Sequence, residues 1–248
     1  MKRLLGVACL FLMCFTATAV FAAKDDPGFF GGGRMTNCKK NSKPVFRRHV
    51  VQLKHIEYID QWGTVTNTLN GLRGHTYLHI KHKAGPRIPG NVRTIPVYAP
   101  IDSYIIAYSH KRMAGDATSD WGFRIQVSCE VVYRLGHISK LRGKVKLRLR
   151  GIPPKFNDSR TTKLYPPLKL KAGQIIGTTS GTSGGASWDF GVYNTKNSNT
   201  LRGILKRFKG TAEGETYGYA DCPYDYYRKN IRKLYYAKFK HKTCGPAN

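Results

Sequence analysis

Four side chains spread along the middle of the chain are of types that bind divalent metal ions. Imidazole nitrogens and carboxylate oxygens are ordinary ligands of zinc. The four residues are His75, His79, His137 and Asp189. The first two belong to the segment 73–80 and the last to the segment 187–192, far along the chain. Whether the four side chains meet depends on the elements that carry them.

Short runs of β-branched and aromatic residues, bounded by Gly, Pro, Asp and Ser, recur through residues 46–195. Such runs are typical of strands, and residues 103–108 and 123–127 are examples. They predict an all-β domain, mainly an antiparallel sheet or sandwich, and argue against alternating strands and helices. Residues 142–150 alternate apolar and basic side chains, which predicts a half-exposed strand.

A strand imposes a geometric constraint on the first two histidines. Residues four apart in a straight strand lie on one face but about 13 Å apart. If His75 and His79 bind one ion, the backbone must therefore bend or coil between them. Gly74 permits such a bend but does not require it.

The amino terminus has the pattern of a secretory signal peptide. Lys2 and Arg3 precede an apolar stretch of about 17 residues that ends in small residues, which predicts cleavage after Ala22. The alternative is a transmembrane anchor, for which this length is at the lower limit. We expect a secreted or periplasmic protein with no membrane span after cleavage, and a flexible, glycine-containing lead over residues 23–45.

The chain is strongly basic, with a formal net charge of +28. Such a charge predicts attraction to anionic polymers or surfaces. No helix-turn-helix, RNA-recognition or zinc-finger pattern is present, so sequence-specific nucleic-acid binding is not expected. Outside the cytosol, peptidoglycan or another anionic envelope polymer is the expected partner.

Residues 196–248 form a basic, tyrosine-rich extension. The spacing of its apolar residues predicts one helix of about four turns, whose stripe either packs on the β domain or binds a polymer; the stripe is Tyr227, Ile231, Leu234, Tyr235 and Phe239. Four cysteines follow the signal, which permits two disulfides with three connectivities; they are Cys38, Cys129, Cys222 and Cys244. We favour a Cys222–Cys244 bond that fastens the helix.

Five motifs occur in an order that resembles the LytM domain of the lysostaphin-type zinc metallopeptidases, most of which cut bacterial peptidoglycan. They are His75 with His79, Val-Tyr-Ala-Pro-x-Asp-Ser at 97–103, Tyr-x-x-x-His-Ile-Ser at 133–139, Lys-Ala-Gly-Gln-Ile-Ile-Gly at 171–177, and x-x-Asp-Phe-Gly-Val at 187–192. The resemblance covers roughly residues 73–194. It implies an antiparallel β fold with the metal at one end of a groove.

The resemblance also implies roles for individual residues. In the family a histidine and an aspartate four residues later bind zinc, together with the second histidine of a closing His-x-His. Here His75 matches, His79 stands in place of the aspartate, and Ser187 and Asp189 stand in place of the two closing histidines. The resemblance therefore implies a zinc site of His75, His79 and Asp189. It makes His137 a catalytic residue and leaves Ser187 where a catalytic histidine is missing.

Three functions remain open at this point. The chain is a zinc-dependent endopeptidase with an altered ligand set, a non-catalytic LytM-like module that binds peptidoglycan or regulates another hydrolase, or a basic protein that coats a polyanion. A basic, proline-containing insertion at about 142–170 lengthens the connection after His137, and we expect it to affect access to a groove.

Overall fold

The computed structural model describes residues 34–63, 74–83, 91–112, 119–182, 185–197 and 218–245. Twelve strands and two α-helices lie within these ranges. The strands are β1 (Ile56–Asp60), β2 (Thr76–Ile80), β3 (Ile95–Tyr98), β4 (Ser103–Arg112), β5 (Asp120–Gln126), β6 (Val131–Ile138), β7 (Lys140–Leu141), β8 (Lys155–Phe156), β9 (Thr162–Leu170), β10 (Ile175–Thr179), β11 (Ser187–Asn194) and β12 (Ala220–Asp221). The helices are α1 (Gly143–Arg148) and α2 (Lys229–Tyr236), and two 3-10 turns span Leu53–His55 and Pro223–Tyr226.

The strands form two sheets. The larger has nine strands in the order β1-β2-β11-β6-β5-β4-β8, with β12 paired to β11 and β9 paired to β4. The smaller has the order β3-β10-β7. All pairs are antiparallel except the short β4–β8 pair. The prediction of an all-β, mainly antiparallel fold with a small helical extension at its carboxyl end is confirmed.

Strand β11 is buried along its whole length. Its alternating residues Trp188, Phe190 and Val192 are fully buried among other apolar side chains, whereas Ser187 and Asp189 project from the opposite face. Aromatic rings cover the apolar face: Phe190 lies 6.3 Å from the Phe46 ring and 5.8 Å from the Tyr224 ring, between centroids. The side chains that could do chemistry are therefore confined to the other face.

The carboxyl-terminal extension belongs to the same core. Strand β12 pairs with β11, and single bridges join Phe46 to Tyr227 and Ile59 to Phe239. Tyr227, Tyr235 and Phe239 are buried, as the helical stripe predicts. The helix is shorter than expected, because α2 has eight residues and Tyr227 and Phe239 lie outside it. Burial of each such aromatic side chain stabilises the fold by about 1.5–3 kcal/mol, so packing explains the three aromatic residues of the stripe, whereas Leu234 is 53% exposed.

Residues 142–150 are not a strand, contrary to the prediction. They contain a six-residue helix, α1. Val145 within it and Leu149 directly after it are buried, and Leu147 is exposed. Side chains four residues apart share one face of a helix. The alternation of apolar and basic residues therefore also fits a helical segment in which only Val145 and Leu149 are buried. Within the predicted insertion at 142–170, α1 is followed by β8 and β9.

The second half of the lead, expected to be flexible, is held against the sheet. Cys38 forms a disulfide with Cys129, and the Met35 N–H donates to Gln126 Oε1 at 2.7 Å. Asn41 N–H likewise donates to Glu130 at 2.7 Å. Residues 34–45 are thus fixed by one covalent bond and several hydrogen bonds. The predicted signal peptide at 1–22 and the lead to residue 33 lie outside the described residues.

The second disulfide joins Cys222 and Cys244, which is the pair favoured from the sequence. Close to it, the Trp62 N–H donates to the Cys244 carbonyl oxygen at 3.3 Å. Within the described ranges, no helix has both the length and the apolar character needed to cross a membrane.

The two disulfides should stabilise the fold to different extents. They span 22 and 91 residues, and the chain-entropy model gives about 3 kcal/mol for the shorter loop and about 5 kcal/mol for the longer. We expect Cys222→Ala/Cys244→Ala to lower the free energy of unfolding in urea by about 3 kcal/mol, and Cys38→Ala/Cys129→Ala to lower it further. An unchanged urea midpoint for the first variant would contradict the role given to this bond.

Candidate functional site

Three adjacent strands place the chemically active side chains on one face. In the β2–β11 pair, Asp189 lies opposite Tyr77 and Ser187 opposite His79. Because side chains alternate between faces, His75, Tyr77 and His79 project to the same side as Asp189. Ser187 is buried there beside His79.

Asp189 is the centre of this face, with only 1% of its surface exposed. Its Oδ1 atom lies 3.5 Å from His75 Nε2 and 3.6 Å from His137 Nε2. Its Oδ2 atom accepts a hydrogen bond of 3.1 Å from Arg134 Nη2. The structure thus brings together three of the predicted site residues, His75, His137 and Asp189.

A bulge in β6 turns His137 toward Asp189. In the β5–β6 pair Trp121 lies opposite Ile138, and the next pair joins Phe123 to Leu135, so two residues of β6 face one of β5. His137 is one of these two residues, and its φ is +59°, a left-handed conformation that is unusual for a non-glycine residue. Bulges of this kind redirect side chains and are common beside functional sites.

Asp120 fixes the orientation of the His137 ring. Its Oδ2 atom lies 2.9 Å from His137 Nδ1, and Lys111 Nζ lies 3.9 Å from the same carboxylate oxygen. His137 is thereby held between two carboxylates, with Nδ1 toward Asp120 and Nε2 toward Asp189. This is the arrangement that an imidazolium ion prefers, since both of its ring N–H groups face negative charge.

Two glycines make room for the network. A Cβ atom on Gly136 would lie 2.4 Å from Asp189 Oδ2, and one on Gly191 would lie 2.7 Å from the Cβ of His75. Neither distance is compatible with van der Waals contact. Gly136 therefore admits the carboxylate of Asp189, and Gly191 admits the side chain of His75.

His79 does not join this group, contrary to the expected ligand set of His75, His79 and Asp189. Its Nε2 atom lies 2.8 Å from Asp60 Oδ2 and its ring stacks on Tyr58 with centroids 4.0 Å apart. The reason is that β2 pairs with β11 in an unbroken register, so the bend that a shared ion requires is missing. Two residues four apart then remain about 13 Å apart.

Tyr77 is a second obstacle to a shared ion. It projects from the same face between His75 and His79, and its ring centroid lies 5.0 Å from that of His75. Across the described ranges, no group of three or more His, Cys, Asp or Glu side chains is arranged to hold a metal ion. The residues that the resemblance assigns to zinc therefore do not fit it as a set.

Burial and charge shift the pKa values of the network in different directions. Burial lowers the pKa of His75 to about 3, although the charge of Asp189 opposes this. Burial alone would raise the pKa of Asp189, but His75, His137 and Arg134 together hold it well below its usual range. Burial would also lower the pKa of His137, but Asp189 and Asp120 outweigh it and the pKa is raised. Near neutral pH the network therefore contains a neutral His75 and an ionised Asp189, and the two carboxylates favour the protonated form of His137.

Sequence reasoning missed four residues that shape this site. Asp120, Arg134, Gly136 and Tyr77 are all supplied by strand pairing or by the bulge. The sequence offers one signal: Asp189 lies between Trp188 and Phe190, and a carboxylate in an apolar strand needs a partner, but the sequence does not identify that partner as Arg134. The other pairs depend on which strands are neighbours.

The chain is similar over part of its length to three solved bacterial structures. They are Csd3 from Helicobacter pylori (16% identity, 64% of this chain, 36% of that one, TM-score 0.34), a zinc-containing peptidase from Vibrio cholerae (18%, 62%, 38%, 0.36), and the catalytic domain of a mutant of the prophage-encoded M23 protein EnpA from Enterococcus faecalis (16%, 60%, 87%, 0.33). The chain thus spans little more than a third of the length of the first two. No protein-family model matches it, and no curated protein does.

Alanine at position 136 should destabilise the protein through the Asp189 carboxylate. We expect Gly136→Ala to lower the free energy of unfolding in urea by about 1–3 kcal/mol, because the new methyl group overlaps Asp189 Oδ2. Gly245→Ala is the matched control, since a Cβ there meets nothing within 4 Å, and should change stability by less than about 0.5 kcal/mol. Equal losses in the two variants would contradict the close approach of residues 136 and 189.

The raised pKa of His137 predicts a pH dependence of stability. A histidine whose pKa is higher in the folded state contributes stability that is complete below the unfolded value of 6.5 and is lost as the pH rises through the folded value. The lowered pKa of His75 has the opposite sign, so its contribution is lost as the pH falls from 6.5 toward about 3. We expect His137→Gln to flatten the decline in unfolding free energy above pH 6.5.

The comparison uses urea denaturation of wild type, His137→Gln and His241→Gln across neutral and alkaline pH. His241 is exposed and serves as the matched histidine control. The quantity compared is the slope of the unfolding free energy against pH. A loss of stability that is equal at every pH in one variant therefore does not affect the result. Parallel pH profiles for wild type and His137→Gln would show that His137 does not supply the alkaline decline.

Proposed function

We propose that the chain is a secreted or periplasmic LytM-like protein that binds bacterial peptidoglycan without hydrolysing it. The observation that carries this proposal is the pairing of the site residues with one another. Asp189 is neutralised by Arg134 and His137, and His79 is hydrogen-bonded to Asp60. The side chains that a LytM-like peptidase would use for zinc and water thus contact other side chains of the same chain.

Electrostatics also favours a binding role over a zinc-dependent one. A zinc ion near Asp189 would lie close to the Arg134 guanidinium, which donates to Asp189 Oδ2 at 3.1 Å, and like charges within a few Å repel strongly in a buried site. Ser187, at the position of the missing histidine, is a hydroxyl that donates and accepts hydrogen bonds but is a poor base near neutral pH. We therefore derive no hydrolytic step for this chain.

Three observations support the envelope and its peptidoglycan as the place and partner. The order of the five motifs resembles the LytM domain. The net charge of +28 is complementary to the carboxylates of peptidoglycan peptides. The two disulfides are typical of proteins that fold in an oxidising compartment.

Sedimentation with purified peptidoglycan tests the binding role. We expect the protein to sediment with peptidoglycan at about 0.5 M salt, because contacts that depend on shape and hydrogen bonds survive screening that removes charge-only attraction. Release of all protein at this salt concentration would instead indicate a basic protein that coats polyanions.

Measurements of zinc content and of peptidoglycan hydrolysis on the same preparations test the proposal that the protein does not hydrolyse peptidoglycan. After dialysis against buffer with trace zinc, we expect far less than one equivalent of zinc and no new amino groups in peptidoglycan. His75→Ala and the exposed-histidine control His241→Ala should match the wild type in both assays. Stoichiometric zinc that His75→Ala alone removes, together with hydrolysis at about 1 per second, would establish the altered-ligand endopeptidase instead.

A further inference from the structure

A surface with both basic and apolar side chains lies on the segment 142–170, which contains α1, β8 and β9. We call it the cationic face. Five large hydrophobic side chains are exposed within the described ranges, and three of them belong to this segment; the five are Val45, Leu147, Phe156, Tyr165 and Leu234. The three on the cationic face are Leu147, Phe156 and Tyr165.

These three side chains are held outward by the elements that carry them. Val145 of α1 and Leu149, the residue directly after it, are buried, and Leu147 between them points to the other side and is 72% exposed. Phe156 at the end of β8 is 63% exposed, and Tyr165 in β9 is 71% exposed. Large apolar side chains that stand free of the core on a fixed backbone mark interaction surfaces when they occur together.

Hydrogen bonds and strand pairing join the three elements into one surface. Arg148 Nη2 of α1 donates to the Tyr165 carbonyl oxygen at 2.8 Å. Lys155 Nζ of β8 lies 3.3 Å from Thr162 Oγ1 of β9. Both β8 and β9 also pair with β4. The three elements that carry the exposed apolar residues are therefore neighbours in the fold.

The charge of this surface is strongly positive. Residues 142–170 contain nine basic residues and one acidic residue; the basic ones are Arg142, Lys144, Lys146, Arg148, Arg150, Lys155, Arg160, Lys163 and Lys169. The single acid, Asp158, is bound by Arg160 at 2.9 and 3.0 Å. Lys155 also lies near Asp158, and the basic side chains of the segment are mostly exposed.

We propose that the cationic face docks on the surface of a lipid bilayer that contains anionic lipids. Lys and Arg near a bilayer are attracted to anionic head groups, while Leu, Phe and Tyr insert at the boundary of head groups and acyl chains. A hydrated polysaccharide satisfies the positive charge but gives Leu147 and Phe156 no apolar phase to enter. The combination of charge and exposed apolar side chains thus favours a membrane over a soluble polyanion.

This surface adjoins the network around Asp189 without including Asp189 itself. Lys111 of β4 pairs with Lys155 of β8 and lies 3.9 Å from Asp120, whereas Asp189 lies on β11, three strands away from β4. Strand β8 ends the nine-stranded sheet on one side, and β1 ends it on the other. The proposal requires no chemistry at Asp189 and does not depend on peptidoglycan binding. It adds a second contact with the envelope, made by a different part of the fold.

Sedimentation with vesicles tests the proposal on the full chain. We expect binding to vesicles of phosphatidylcholine with about 30% phosphatidylglycerol and little binding to phosphatidylcholine alone. The variant Leu147→Ser/Phe156→Ser/Tyr165→Ser keeps every charge and should bind the anionic vesicles at least about tenfold more weakly. Val45→Ser/Leu234→Ser is the matched control, because it removes the two exposed hydrophobic side chains outside the face and should bind as wild type does.

Fluorescence gives an independent measure of contact with the bilayer. Leu234 lies on α2, and the chain shortly after α2 reaches the β1 edge through the bridge from Phe239 to Ile59. We expect brominated lipids to quench the added tryptophan of Phe156→Trp and not that of Leu234→Trp, each measured as the difference from wild type. Circular dichroism and thermal unfolding confirm that all variants are folded.

Two results would overturn the proposal. Absence of binding to the anionic vesicles is one. The other is equal vesicle binding by wild type and by the triple serine variant, with no selective quenching at position 156; the face would then bind soluble anionic polymers through charge alone.

Discussion

The burial of one carboxylate, that of Asp189, determines the arrangement of this face of the protein. Removing an ionised carboxylate from water costs several kcal/mol unless opposite charge and hydrogen bonds compensate for it. Arg134 supplies a hydrogen-bonded positive charge at 3.1 Å, and His137 and His75 approach the other oxygen at 3.6 and 3.5 Å. The backbone accommodates these contacts through a missing Cβ at Gly136 and a bulge that turns His137 inward.

The opposite face of strand β11 carries apolar side chains, which must be covered by other apolar groups. Phe190 and its neighbours in β11 need an apolar cover, and Phe46 and Tyr224 supply part of it. Phe46 is the residue directly after the lead, and Tyr224 belongs to the carboxyl-terminal extension, so both segments lie against the core of the β domain. One strand thus divides the molecule into a packed aromatic core and a charged network, and each side depends on the register that alternation imposes.

Local patterns predicted the parts of the fold that depend on neighbouring residues. Runs of β-branched and aromatic residues gave the strands, and the positions of Cys222 and Cys244 around the tyrosine-rich tail gave one disulfide. Residues 142–150 were assigned wrongly because alternation and an i, i+4 pair coincide at Val145 and Leu149. The site was predicted in part: His75, His137 and Asp189 come together, but the link of His79 to Asp60 depends on the pairing of β1 with β2, and the bulge at His137 depends on β5. Such contacts between distant segments leave no local pattern.

The departures from the LytM motifs are coupled by charge. Where the motif has a histidine, this chain has Asp189 on a buried strand. Its carboxylate needs a positively charged partner, and Arg134 on the adjacent strand provides it. When an aspartate is exchanged for His79, the ring needs a new acceptor, and Asp60 on β1 provides one at 2.8 Å. At each of these positions the side chain that differs from the motif has a partner of complementary charge within the protein, Arg134 for Asp189 and Asp60 for His79. The other oxygen of Asp189, Oδ1, accepts no hydrogen bond among the described residues and is approached only by His75 and His137. The charge balance of this buried face therefore depends on all three neighbours of Asp189 together.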